Sequence, residues 1–135
     1  MSAHEHLKQD VEALCFPQGR RVGTQGHEDA LRYLDQRLVD IGLRPFEGSS
    51  FQLTYSGTDL STGSSNTFTN LVGVVAGSAP SLPPLLIGAH YDSVIDAPCA
   101  DDNAAAVAVV LGVACLLYTT PSPRDHQKSR KPSSA

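Results

Sequence analysis

A chain of 135 residues, 41% hydrophobic and 18% charged, has the composition of an ordinary globular protein, so neither disorder nor membrane insertion is its default. Up to residue 114, six Lys and Arg stand against thirteen Asp and Glu, a net charge of −7, and an acidic body argues against nucleic acid as a partner. The opening MSAHEHLKQD lacks the basic flank and apolar core of a secretory signal, and no run approaches the roughly eighteen apolar residues of a membrane span, so a cytoplasmic location is expected.

Residues His4 to Cys15 place Leu7, Val11, Leu14 and Cys15 at helical spacing, with Glu5, Asp10 and Glu12 between them, which predicts an amphipathic helix ending at Phe16-Pro17. Arg20 to Gly26 follows without periodicity and reads as a loop; its Gly-x-x-Gly lacks the strand and Lys of a phosphate cradle. His27 to Leu43 has one broad apolar face through Leu31, Leu34, Leu38 and Ile41, acidic residues in its first turn and Gly42 to stop it. His27 reads there as a surface residue at the helix start. Arg44 to Tyr55 alternates around a Gly48-Ser49-Ser50 turn and predicts a strand, Ser56 to Asn66 a surface loop, and Thr67 to Ala76 a second strand. Three cysteines, Cys15, Cys99 and Cys115, have no zinc-finger spacing and imply no disulfide framework; Cys99 reads as a small buried residue rather than a ligand.

The stretch around which the chain is organised is LLIGAHYDSVIDAPCADDN, Leu85 to Asn103. Leu82 and Leu85 to Ile87 predict a buried strand with His90 just past its C-terminal end, where ligand sites collect in α/β folds. An apolar helix from Ala104 to Ala114 follows Asp101-Asp102-Asn103. A neutral imidazole binds zinc through one nitrogen and needs an acceptor for the N–H on the other, and a carboxylate two residues on can supply it. Asp92 is therefore the candidate to orient His90, and His90 and Asp102 are the candidate metal ligands. Taken singly, each piece has a plainer reading: His-x-Asp as a hydrogen-bonded surface histidine, Asp-Asp-Asn as a helix cap. Their order, strand, His-x-Asp, short loop and capped helix, is what points to a metal. The whole predicts an α/β layered fold with a mixed, largely parallel central sheet flanked by helices.

Gly88-Ala89-His90-Tyr91-Asp92-Ser93-Val94 followed by Ala100-Asp101-Asp102-Asn103-Ala104 resembles the signature of the di-zinc exopeptidases that include bacterial leucyl aminopeptidases and aminopeptidase Y. The resemblance covers residues 4 to 114, the first third to half of such a catalytic domain. It implies that His90 binds one zinc, that Asp92 orients His90 and that Asp102 bridges two zincs; a similar Gly-Arg-x-x-Gly-Thr stretch links the first two helices. The family has Gly where Cys99 stands. The implied function is removal of N-terminal residues from peptides with a free N-terminus, through a water activated between two Zn2+ ions and a Glu as base. The Glu, two further carboxylate ligands and a second His would lie beyond residue 114. A related metallo-carboxypeptidase or amidohydrolase that also uses His-x-Asp, and a catalytically dead binding module, are the alternatives; the Asp-Asp-Asn helix start favours the aminopeptidase.

Residues 115 to 135 differ in kind. Cys115 to Asp125 looks like a translated sequencing adapter with one change at Thr120, and Ser129 to Ala135 like the primer after it with one change at Lys131. The expectation is a catalytic-domain segment over 1–114 and a non-native, disordered tail over 115–135, with the chain itself inactive.

Overall fold

The computed structural model describes residues 2–60 and 62–119. The first helix, α1, spans Ala3–Leu14 and opens with a capping box: the Glu5 amide donates to Ser2 Oγ at 3.3 Å, and the Ser2 amide donates back to the Glu5 carboxylate. The second, α2, spans Gln25–Ile41, is capped by Thr24 and ends on Gly42 at φ 87°, a left-handed conformation that Gly alone adopts without strain. The Tyr118 ring lies over the same glycine, so close that a Cβ there would come within 2.9 Å of it. Both helices end within two residues of the positions their periodicity predicts.

Two small antiparallel sheets follow. β1 (Arg44–Pro45) pairs with β4 (Gly73–Val74), and β2 (Gln52–Thr58) pairs along its whole length with β3 (Ser65–Leu71), from Gln52 opposite Leu71 to Thr58 opposite Ser65. The Ser, Gly and Thr expected to form one long loop from Ser56 to Asn66 thus belong in part to the hairpin, and only the connection between Thr58 and Ser65 is loop. Helix and strand together make the chain α/β, as expected.

The expected parallel central sheet is not present among the described residues: both sheets are antiparallel, and the stretch from Leu85 to Ile87 is not a strand. Leu85 and Leu86 are each 87% exposed. A strand of a parallel sheet is held by neighbours on both edges and by cover on both faces, and no described segment pairs with this one.

The third helix, α3 (Ala105–Thr119), continues past Ala114, and Cys115 packs partly against the core, so the expected boundary at 114 falls inside an element. The adapter-like residues from Thr120 onward lie outside the described residues. By length and mean hydropathy of 1.7, Ala100–Thr119 is apolar enough to cross a membrane, which corrects the reading that no segment is. Its helical part is about 22 Å long at 1.5 Å per residue, short of the roughly 30 Å hydrocarbon layer. Val107, Ala108 and Leu111 on it are buried where α3 docks against α1 and α2, while Val109, Leu116, Leu117 and Tyr118 are more than half exposed. The core joins Leu14 of α1, Ala30, Leu34, Leu38 and Ile41 of α2, Phe51, and Val107 and Leu111 of α3; each large side chain contributes about 1.5–3 kcal/mol of burial. Asp10 fastens α1 to α2, its buried carboxylate accepting from Tyr33 Oη and from Arg37 Nε (2.7 Å) and Nη2 (3.1 Å). The three cysteines are all free, as their spacing implies.

Candidate metal centre

His90 stands on an extended segment with no strand beneath it, yet its ring is placed by contacts at both nitrogens. Nδ1 lies 3.2 Å from Asp92 Oδ1 and 3.3 Å from the Asp92 carbonyl oxygen. Nε2 lies 3.2 Å from Asp102 Oδ1. The two-residue spacing brings Asp92 to Nδ1 round a tight bend, and Asp102 reaches Nε2 from the far end of the loop. Asp102 sits in a wide irregular turn, Ala100–Ala104, in which Asp102 (φ −118°, ψ 86°) and Asn103 (φ −140°, ψ 31°) leave helical geometry; the peptide between them is cis.

A carboxylate only accepts. With the imidazole proton on Nδ1 facing Asp92, the Nε2 lone pair meets the Asp102 oxygens, a contact that either a second ring proton donated to Asp102 or a cation between the two satisfies. Two ligands on one tetrahedral zinc, at about 2.0–2.1 Å each, stand about 3.3 Å apart, close to the separation found here. The imidazole and carboxylate donors therefore fit zinc in chemistry and in spacing. They do not complete a site: among the described residues no group of three or more His, Cys, Asp or Glu side chains is arranged to hold a metal ion. Both side chains are open to solvent, His90 at 56% and Asp102 at 81% exposure.

The loop between them is fixed by residues that sequence reasoning placed elsewhere. Tyr91 donates its hydroxyl to the Thr69 carbonyl of β3 at 2.9 Å and stacks on His27, with ring centroids 5.0 Å apart and planes 17° from parallel. Burial, and then the nearby charge of Asp92, pushes the Tyr91 hydroxyl up to about 12. His27 is not the surface residue expected: it is buried, because the first turn of α2 runs beneath the metal loop, and that burial lowers its pKa against the opposing pull of Asp92 and Glu28. Arg20 and Ser93, both buried, bind each other and the loop backbone. Nothing local announced Arg20, since its loop partners lie 71 to 79 residues away. Cys99 is half-buried in a left-handed conformation, φ 49° and ψ 51°, which explains physically why a glycine would suit that position.

Compared with known proteins, residues 70–129 match Peptidase family M28, a family of zinc-dependent peptidases. The matched span takes in the whole loop from His90 to Asn103. No curated protein matches the chain.

Proposed function

We propose that this chain, whose residues 70–129 match Peptidase family M28, carries one half of the metal centre of a zinc aminopeptidase, the half that consists of His90, Asp92 and Asp102. The observation that carries the reading is a single imidazole held between two carboxylates, with Asp92 on Nδ1 and Asp102 on Nε2, both at 3.2 Å. His90 and Asp102 would hold zinc, and Asp102 has a second oxygen free to face a second ion. Asp92 keeps the proton on Nδ1 and fixes the ring plane, which leaves Nε2 facing Asp102. Bound zinc supplies Lewis acidity toward a peptide carbonyl and toward water. The substrates are peptides with a free N-terminus, whose cationic amine suits a loop carrying Asp92, Asp96, Asp101 and Asp102.

The same geometry sets the limit of the 135-residue chain. Two protein ligands leave most of zinc's coordination to water: Asp10 is bound by Arg37 and Tyr33, Glu5 caps α1, and among the described residues no third His, Cys, Asp or Glu joins His90 and Asp102 in a metal-holding group. A missing general base alone costs a factor of roughly a hundred to ten thousand in rate. We therefore propose that the chain binds zinc weakly and does not turn over peptide.

Equilibrium dialysis and an aminoacyl-anilide assay test both statements. Zinc bound by the parent should be lost in His90→Ala and in Asp102→Ala, and Asp92→Asn should weaken it by about ten to a hundred fold. Equal zinc uptake by Asp102→Ala and the parent would remove Asp102 from the ligand set. Chelator-sensitive turnover by the purified chain would overturn the argument from missing ligands.

A further inference from the structure

Arg20 is fully buried, and among the described residues each acceptor on its guanidinium is a backbone carbonyl. Nε donates to Tyr91 O at 2.7 Å, Nη1 to Pro98 O at 2.8 Å and to Leu14 O, and Nη2 to Cys99 O at 3.1 Å. Leu14 O belongs to the last turn of α1, where carbonyls lack intrahelical partners and the helix dipole is negative, so it suits a cation. The other three carbonyls lie at the two ends of one loop, directly after His90 and just before Asp102. One rigid planar fork thus spans the closure of the loop that brings the two candidate ligands to 3.2 Å.

The backbone beside it completes the contact. The Arg20 amide donates to Ser93 Oγ at 2.7 Å, and the Ser93 amide donates to Arg20 O at 3.1 Å. That second bond is the one backbone-to-backbone hydrogen bond donated between residues 83 and 99 among the described residues. Gly19, at φ 74°, approaches the loop so closely that a Cβ there would lie 2.5 Å from Ile95 O and 2.9 Å from Ala97 O. On the solvent side Arg21 Nε pairs with Asp96 Oδ1 at 3.3 Å. A loop with almost no pairing of its own takes its shape from this post.

We infer that Gly19 and Arg20 are positioning residues for the metal centre: they hold the loop from Tyr91 to Cys99 so that His90 and Asp102 meet, and zinc affinity depends on them although neither touches the ion. The inference rests on the zinc reading above. It predicts that loosening the post weakens zinc while the helical core is unchanged.

The test uses the full chain and three variants, Arg20→Lys, Gly19→Ala and Ser93→Ala, with two readouts. Zinc affinity is followed by the imidazole nitrogen shifts of His90, and amide hydrogen exchange is followed at Ser93 and across α2. Ser93→Ala, which removes the two hydrogen bonds of Ser93 Oγ, from the Arg20 amide and to Ile95 O, and leaves the buried cation in place, keeps the fold available if Arg20→Lys does not fold. The expected result is zinc binding weakened at least about fivefold in Ser93→Ala, the equivalent of one of the two hydrogen bonds it loses, and more than about tenfold in Gly19→Ala and Arg20→Lys. Exchange at residue 93 should rise at least tenfold in Gly19→Ala and Arg20→Lys, with α2 exchange as in the parent. Unchanged zinc affinity in folded Ser93→Ala and Gly19→Ala overturns the positioning role. If the parent binds no zinc, the function reading fails. In that case faster loop exchange in Gly19→Ala upholds the post as a loop-shaping device, and unchanged loop exchange overturns it as well.

Discussion

Asp10 is 2% exposed and gathers three donors, Tyr33 Oη, Arg37 Nε and Arg37 Nη2. Changing it to Asn keeps the shape and removes the charge. The amide offers one acceptor where the carboxylate offers two, and in either orientation its NH2 group must face an N–H of the guanidinium, a donor against a donor. Breaking a buried ion pair from one side costs about 3–5 kcal/mol. Arg37 keeps 20% of its side chain exposed, so water recovers part of that loss, and about 2–3 kcal/mol remains. Tyr33→Phe, which removes one donor and leaves the ion pair, should cost about 1 kcal/mol. Urea unfolding followed by the helical circular dichroism signal measures both; with a slope of about 1–2 kcal/mol per molar, the Asn variant's midpoint should fall by about 1–3 M. A double-mutant cycle with Arg37→Met isolates the pair. A loss under 1 kcal/mol, or additivity in the cycle, would refute the claim that Asp10 fastens α1 to α2. The result bears on function as well, because α1 presents the Leu14 carbonyl to Arg20 and so sets the height of the post beneath the metal loop.

Cys99→Gly should raise the thermal midpoint, since a left-handed conformation costs an L-residue about 1–2 kcal/mol and Gly's looser unfolded chain returns about 0.5–1 kcal/mol of that; a lowered midpoint would mean that the packing of the thiol outweighs the strain. Stability should also fall on the alkaline side. Burial lifts the Tyr91 hydroxyl to about 12, above the unfolded value of about 10, so its contribution is complete below pH 10 and is lost as pH rises toward 12. Urea midpoints measured from pH 9 to pH 12 should show this fall and show less of it in Tyr91→Phe; identical pH profiles would remove Tyr91 as the cause.

What was legible in the sequence was what is decided within a few residues. The amphipathic spacing of Leu7, Val11 and Leu14 and the Gly42 stop locate α1 and the end of α2 to within two residues, while the Thr24 cap, inside what reads as loop, starts α2 two residues before His27. His-x-Asp brings a carboxylate to an imidazole nitrogen whatever surrounds it, and the structure has that contact. The burial of His27 was not legible, because it depends on Tyr91, sixty-four positions away, arriving above the first turn of α2. Arg20 was hidden for the same reason: a cation satisfied wholly by backbone carbonyls leaves no side-chain partner to notice.

Leu82 to Ile87 and His90 to Asp102 adjoin in the chain, yet one lacks the structure its pattern predicts and the other has it. The apolar run needs strands at its edges and cover on its faces, and its burial is a sum over many distant contacts, so without them it stays extended, with Leu85 and Leu86 87% exposed. The polar loop needs Gly19, Arg20 and Ser93, a Tyr91 hydroxyl on β3 and a stacking ring at His27, and each of these is within reach. Directional contacts are satisfied one by one. The geometry at His90 therefore does not need the run from Leu82 to Ile87 to pair as a strand; its contacts run through Tyr91 to β3 and through Arg20 to the end of α1, and from there through Asp10 to α2.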